Sequence, residues 1–307
     1  MSWQKFQDLR VPQTTDASVK RRYSVTTDIL SFKRCRRQYG HFVVRGYEPA
    51  HAVQIYYGTL IHQVLDRAYM HYAGLRDKKT EGQIPRDEDI EYYFNEVDTA
   101  LKIRGIRSVR AFTHAAEREA ALRRLKRFNQ IEGSELYPRI KDTEHHLQSH
   151  QGDYLLHGTV DVLADVPNWH PGMKAEIWDY KGGHPPDDRY SEGFRQYQFQ
   201  MRVYAELYRE RNGVYPEKAI LYFLGALDAV EDSSTRPSNA LIEVSLDEQS
   251  IQNALADFTN TVKKIEDCRR KENWPAPDPS PDDNTCNICD IRWNCPARKG
   301  EYQMRYP

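Results

Sequence analysis

The spacing of apolar positions changes character about halfway along the chain. In the first half it follows a helical period. From Val53 to Tyr72 the residues Ile61, Val64, Leu65 and Ala68 recur at helical spacing, and Gly74 suits the end of such a helix. Glu88 to Ile103 and His114 to Leu136 read the same way, the second rich in Ala, Glu and Arg, with no proline interrupting either. Ahead of them, "SVTTDILSFKRCRRQYGHF" opens on Ser and Thr capping residues and carries Ile29, Leu30, Phe32 and Tyr39, which predicts a short helix. Residues up to about Lys20 are polar and aperiodic, a loose arm.

After Pro138 the pattern becomes that of strands. "RIKDTEHHLQSH" and "DYLLHGTVDVLADV" predict an antiparallel pair turning at Gln151 to Asp153, and "KAEIWDYK" predicts a third strand. "SEGFRQYQFQMRVYAELYRER" is an amphipathic helix that stops at "NG". "KAILYFLGA" and "ALIEVSL" predict further strands, and Asp247 starts a long helix to about Lys271. A proline-rich connector, "NWPAPDPSPDD", leads to a cysteine cluster. This order predicts an α/β or α+β core, a mixed sheet covered by helices. The expected divisions are an arm over 1–22, N-terminal helices over 23–75, a helical insertion over 76–138, the core over 139–272 and a cysteine-bearing tail over 273–307.

Composition narrows this picture modestly. Lys and Arg number 44 against 45 Asp and Glu, so the whole chain is no basic magnet for nucleic acid. Local clusters do stand out: Lys33, Arg34, Arg36 and Arg37 around Cys35, and Arg104, Arg107, Arg110, Arg118, Arg123, Arg124 and Lys126 further on. A solvated helix face is the favoured reading of such runs, and a phosphate-contacting surface the sharper one. No apolar run is long enough to span a bilayer and the N-terminus is no signal peptide, so a cytoplasmic protein without membrane contact is expected.

Two aspartates carry the candidate chemistry. Asp161 lies in "GTVDVL" and Asp179 in "WDYKGG", two residues before Lys181. Alternation puts Asp179 and Lys181 on one face of their strand, with the Tyr180 carbonyl nearby. If the strands bearing Asp161 and Asp179 are neighbours, two carboxylates meet, and they repel unless a cation joins them. Magnesium or manganese takes oxygen ligands of this kind, polarises a phosphoryl group and acidifies a bound water. Lys181 could position or deprotonate that water, or neutralise charge on the phosphate. An isolated D-x-K means little, since a surface ion pair on an edge strand is by far the better explanation of it. Its company raises the case: G-x-x-x-H at Gly58 to His62, then G-x-x-D, then D-x-K, then Q-x-x-x-Y at Gln200 and Tyr204.

That ordered set resembles the RecB-type nucleases of the PD-(D/E)XK superfamily. The resemblance runs from Ser24 to Pro296 and says little about residues 76–138. It implies a restriction-endonuclease-like core and a magnesium- or manganese-dependent deoxyribonuclease, exonucleolytic rather than endonucleolytic. It implies His62, Asp161, Asp179 and Tyr180 at the metal, and Asp161, Asp179, Lys181, Gln200 and Tyr204 as the catalytic set. Single-stranded DNA or DNA ends are the expected substrate, in repair or recombination, CRISPR adaptation or anti-phage defence. The chain has no G-x-x-x-x-G-K-[ST] phosphate loop, so a separate helicase or a CRISPR adaptation protein is the expected partner. The alternative is a non-catalytic DNA-end-binding subunit of a helicase–nuclease complex.

"CNICDIRWNCP" sets Cys286, Cys289 and Cys295 on one short loop, able to face one centre, with Cys35 the best fourth ligand and Cys268 the alternative. Zinc and an iron–sulfur cluster both take such sets. One knuckle plus two single cysteines, the last followed by proline, favours iron and sulfur. Similar RecB-type nucleases, the CRISPR adaptation exonucleases and the AddB subunit of AddAB, join one upstream cysteine to three downstream ones around a 4Fe-4S cluster. The resemblance implies that role for Cys35, Cys286, Cys289 and Cys295, as a clamp that holds both ends of the chain over the core.

Overall fold

The chain was analysed as a computed structural model, which describes residues 20–47, 53–106, 114–170, 172, 174–229, 235–287, 289–298 and 301. Most of the expected N-terminal arm lies outside the described residues, as do Arg107 and Arg110.

Six strands form one mixed sheet. They are β1 (Arg21–Ser24), β2 (Ile140–Gln151), β3 (Tyr154–Asp165), β4 (Ala175–Lys181), β5 (Lys218–Phe223) and β6 (Leu241–Val244). Five helices of three turns or more accompany them: α1 (Val53–Tyr72), α2 (Asp87–Ile103), α3 (His114–Leu136), α4 (Glu192–Asn212) and α5 (Glu248–Arg270). Short helical turns fill residues 25–44. The sheet order is β1-β3-β4-β5-β6, with β2 on the other edge of β3. β1 pairs with β3 and β4 with β5 in parallel, while β2–β3, β3–β4 and β5–β6 are antiparallel.

Helix ends sit where their sequences direct. Ser191 accepts a hydrogen bond from the Phe194 amide at the start of α4, Asp247 accepts one from Ser250 at the start of α5, and Gly213 closes α4 at φ 81°. Gly152 makes the β2–β3 turn at φ 56°.

β4 is buried along nearly all its length, and its alternation separates the two cores. Ala175 and Ile177 join the core beneath α4 and α5, with Tyr204, Leu207, Phe223 and Phe258. Trp178 and Tyr180 join the core beneath α1, α2 and α3, with Leu60, Phe94, Phe128 and Tyr222. The result is a sheet between two helical layers, the mixed, helix-covered architecture expected. α3 packs on the sheet, with the Phe128 ring 5.3 Å from that of Tyr180.

Two local expectations need correction. Arg21–Ser24 is a strand rather than the end of an arm, because it pairs with residues 154–157, which periodicity cannot reveal. The "LGA" that was expected to extend the β5 strand instead turns into a 3₁₀ helix over Leu224–Ala229.

Candidate active site

β3 and β4 pair from Val162–Trp178 to Asp165–Ala175 and then separate. β4 continues beside β5 to Lys181–Phe223. The described ladders leave residues 158–161 without a strand on that edge of β3, since β1 covers only 154–157. Asp161 turns its carboxylate into this fork, and its Oδ2 accepts the Tyr180 amide at 2.6 Å. A side chain thus takes the place of a ladder partner for a buried N–H.

His62 reaches the fork from α1. Its Nδ1 lies 3.1 Å from Asp161 Oδ1 and its Nε2 3.1 Å from the Tyr180 carbonyl oxygen. Burial alone would lower its pKa, but Asp161 and Asp179 outweigh that and hold it up to about 9. The imidazole therefore carries a proton and donates at both nitrogens. Asp66, one turn further along α1, accepts from the Thr143 hydroxyl at 2.5 Å.

Asp179 and Lys181 share the α4 face of β4. Lys181 Nζ lies 2.5 Å from Asp179 Oδ2 and donates to Gln200 Oε1 at 3.0 Å. Gln200 Nε2 donates to Asp179 Oδ1 at 2.8 Å and to the Tyr204 hydroxyl at 3.1 Å. One amide on α4 thereby fixes both members of the D-x-K pair and is itself fixed by a buried tyrosine. Burial pushes the Asp179 carboxyl up. Burial pulls the Lys181 ammonium down, yet Asp179 and Asp161 more than restore it, so Lys181 stays charged. Gln196, one turn before Gln200, donates to Glu192 instead.

One residue with no sequence signal joins the site. Glu144, His62 and Asp161 each offer a ligand atom, all within 4.8 Å of one another, the one such trio among the described residues. Glu144 sits on β2 at φ 49°. The site opens into a groove of about 1090 Å³ lined by His62, Glu144, Tyr180, Lys181 and His184 among others. Imidazole, carboxylates and a main-chain carbonyl at the edge of an open groove form a donor set suited to a hard divalent cation.

Arg118, Arg124 and Lys126 of α3 are ion-paired. Arg124 grips Asp228 through Nε, 3.0 Å from each carboxylate oxygen, and donates to the Gly182 carbonyl at 3.1 Å. Arg118 pairs with Asp98 and Lys126 with Glu91. Each of these side chains faces a carboxylate, the arrangement of an ion-paired helix face.

Cys35, Cys286, Cys289 and Cys295 line one small cavity, and Cys268 does not; it packs against the first core. Cys35, Cys286 and Cys289 are buried, and burial raises their thiol pKa values. The four sulfurs are not drawn together tightly enough to form a trio of the kind His62, Glu144 and Asp161 make. Among the described residues, no helix is long and apolar enough to cross a membrane.

No curated protein matches the chain. Among solved structures, an exonuclease candidate from Eubacterium rectale matches at 14% identity and a TM-score of 0.51, over 92% of this chain and 89% of that one. A second structure, of SSO0001, matches at 14% identity over 86% of this chain and 94% of that one, with a TM-score of 0.30 that shows nothing further. Residues 24–296 match the family model of the PD-(D/E)XK nuclease superfamily, which spans the fork, the D-x-K strand and the cysteine loop. The chain is a member of the PD-(D/E)XK nuclease superfamily.

Proposed function

We propose that the protein is a metal-dependent DNA nuclease that hydrolyses phosphodiester bonds in single strands or at ends. The observation that carries this reading is the meeting of His62, Asp161 and the Tyr180 carbonyl where β3 and β4 part, with the Asp179–Lys181 pair on the adjoining strand. Magnesium or manganese held there would supply a polarised phosphoryl oxygen and an acidified water. Asp161 and Asp179 would hold the ion, and deprotonated His62 would add a nitrogen. Lys181, kept charged by Asp179, is suited to offset charge on the phosphate rather than to act as a base. Gln200 and Tyr204 keep Asp179 and Lys181 aligned. Asp179→Ala should abolish manganese-dependent cleavage of single- and double-stranded DNA while leaving the circular dichroism spectrum unchanged. Retained cleavage would remove Asp179 from the mechanism.

The chain carries no phosphate-loop motor of its own, so unwound DNA would come from a separate helicase or from a CRISPR adaptation protein. Repair, adaptation or anti-phage defence are the settings that fit. We further propose that the cavity bordered by Cys35, Cys286, Cys289 and Cys295 takes a 4Fe-4S cluster, supported by the four cysteines in its lining, which join residue 35 to the loop over 286–295. Protein purified without oxygen should be brown and contain iron and sulfide, and Cys289→Ser should lose both. Colourless protein with stoichiometric zinc would overturn the cluster and leave the nuclease reading untouched.

A further inference from the structure

The fork alone accounts for two aspartates, yet a third carboxylate faces it from a different strand. Thr143 pairs with Val162 and His145 with Val160, so Glu144 stands opposite Asp161 across the β2–β3 ladder. Residues opposite one another in such a ladder share a face. At φ 49° the Glu144 backbone leaves the extended conformation that its neighbours keep. Its carboxylate comes within 4.8 Å of the ligand atoms of both His62 and Asp161.

We propose that Glu144 is a direct ligand of the divalent cation, so that the ion sits between α1, the β2–β3 hairpin and the fork. The proposal rests on the metal-dependent reading above and adds to it a residue that no D-x-K motif contains. With bonds of roughly 2.0–2.2 Å, ligand atoms around one ion lie about 3–4 Å apart, so the trio needs only slight closure.

The hydrogen bonding singles Glu144 out. Asp66 is occupied by Thr143, Asp161 by His62 and the Tyr180 amide, and Asp179 by Gln200 and Lys181. Asp179 Oδ2, on a residue 2% exposed, has no hydrogen bond and meets only the Lys181 ammonium. Glu144, exposed at the border of the groove, has neither hydrogen bond nor ion pair among the described residues and so keeps its carboxylate free for an ion. With His62 deprotonated to serve as a ligand, Glu144, Asp161 and Asp179 together bring three negative charges against the single ammonium of Lys181. A divalent cation balances what remains, whereas the carboxylates alone repel.

The test is manganese binding by the full chain, followed by the loss of the free-ion signal in electron paramagnetic resonance. Wild type, Asp161→Asn, Glu144→Gln and Glu144→Asp are compared, with circular dichroism to verify folding. Glu144→Gln keeps the shape and removes the charge, so its affinity should fall by about tenfold or more, with Glu144→Asp intermediate. Wild-type affinity in Glu144→Gln, alongside lost binding in Asp161→Asn, overturns the role of Glu144 and leaves the nuclease reading standing. Absence of manganese binding in the wild type overturns both.

Discussion

A methyl group at residue 158 should be felt at the D-x-K pair. Gly158 lies on β3 beneath α4, and an added Cβ would stand 2.5 Å from Tyr204 Cε1, 3.0 Å from Tyr204 Cδ1 and 3.3 Å from Leu207 Cδ1. Carbon atoms prefer about 3.5–4.0 Å, so the Tyr204 ring must retreat by about 1 Å. Tyr204 is 4% and Leu207 0% exposed, so neither can swing into solvent. Overpacking of this kind costs about 1–3 kcal/mol. The Tyr204 hydroxyl moves with its ring, and Gln200 loses a hydrogen-bond acceptor worth about 0.5–1.5 kcal/mol. Gln200 also holds Asp179 and Lys181, so the reacting groups shift, and about 1 Å of misplacement can cost roughly a hundredfold in rate. Urea unfolding of Gly158→Ala should show the stability loss, and single-turnover cleavage at saturating manganese the rate loss. Tyr204→Phe, which keeps the ring and deletes the hydroxyl, should lose rate with much less stability. A Gly158→Ala protein within about 0.5 kcal/mol of wild type and equally fast would refute this coupling.

Two more outcomes are expected. In metal-free protein the His62 pKa of about 9 exceeds its ordinary 6.5, so the stabilisation is complete below 6.5 and lost as pH rises through 9. The melting temperature of wild type should fall over that window more steeply than that of His62→Ala, and equal slopes would contradict the paired imidazolium. Arg124→Met removes the grip on Asp228 and on the Gly182 carbonyl, both partly buried, and should cost about 1–3 kcal/mol in a denaturant titration. A neutral result there would mean that the α3 contact does not hold the segment after Lys181.

How much was legible depended on how local the cause was. Ser191, Gly213 and Asp247 mark helix ends within a few residues, and α4 and α5 lie where those signals place them. The β4 alternation put Asp179 and Lys181 on one face because strand geometry needs no partner to do so. Glu144 was invisible: "TEHH" is polar throughout, and only the pairing of β2 with β3 gives that carboxylate a neighbour. β1 was missed for the same reason, being four residues that matter only beside Tyr154 to His157. The basic residues of α3 read as surface charge ahead of phosphate ligands, and the carboxylates that face Arg118, Lys126 and Arg124, namely Asp98, Glu91 and Asp228, come to them only through folding.

The long β3 lends a single edge to two strands in turn, β1 at its beginning and β4 at its end. Strand length is therefore a functional variable here as much as side-chain identity. An insertion that let β1 run on, or kept β4 hugging β3 past Trp178, would zip the opening shut with ordinary backbone bonds. Such a protein could retain every acidic residue and fold well, yet offer an ion nowhere to sit.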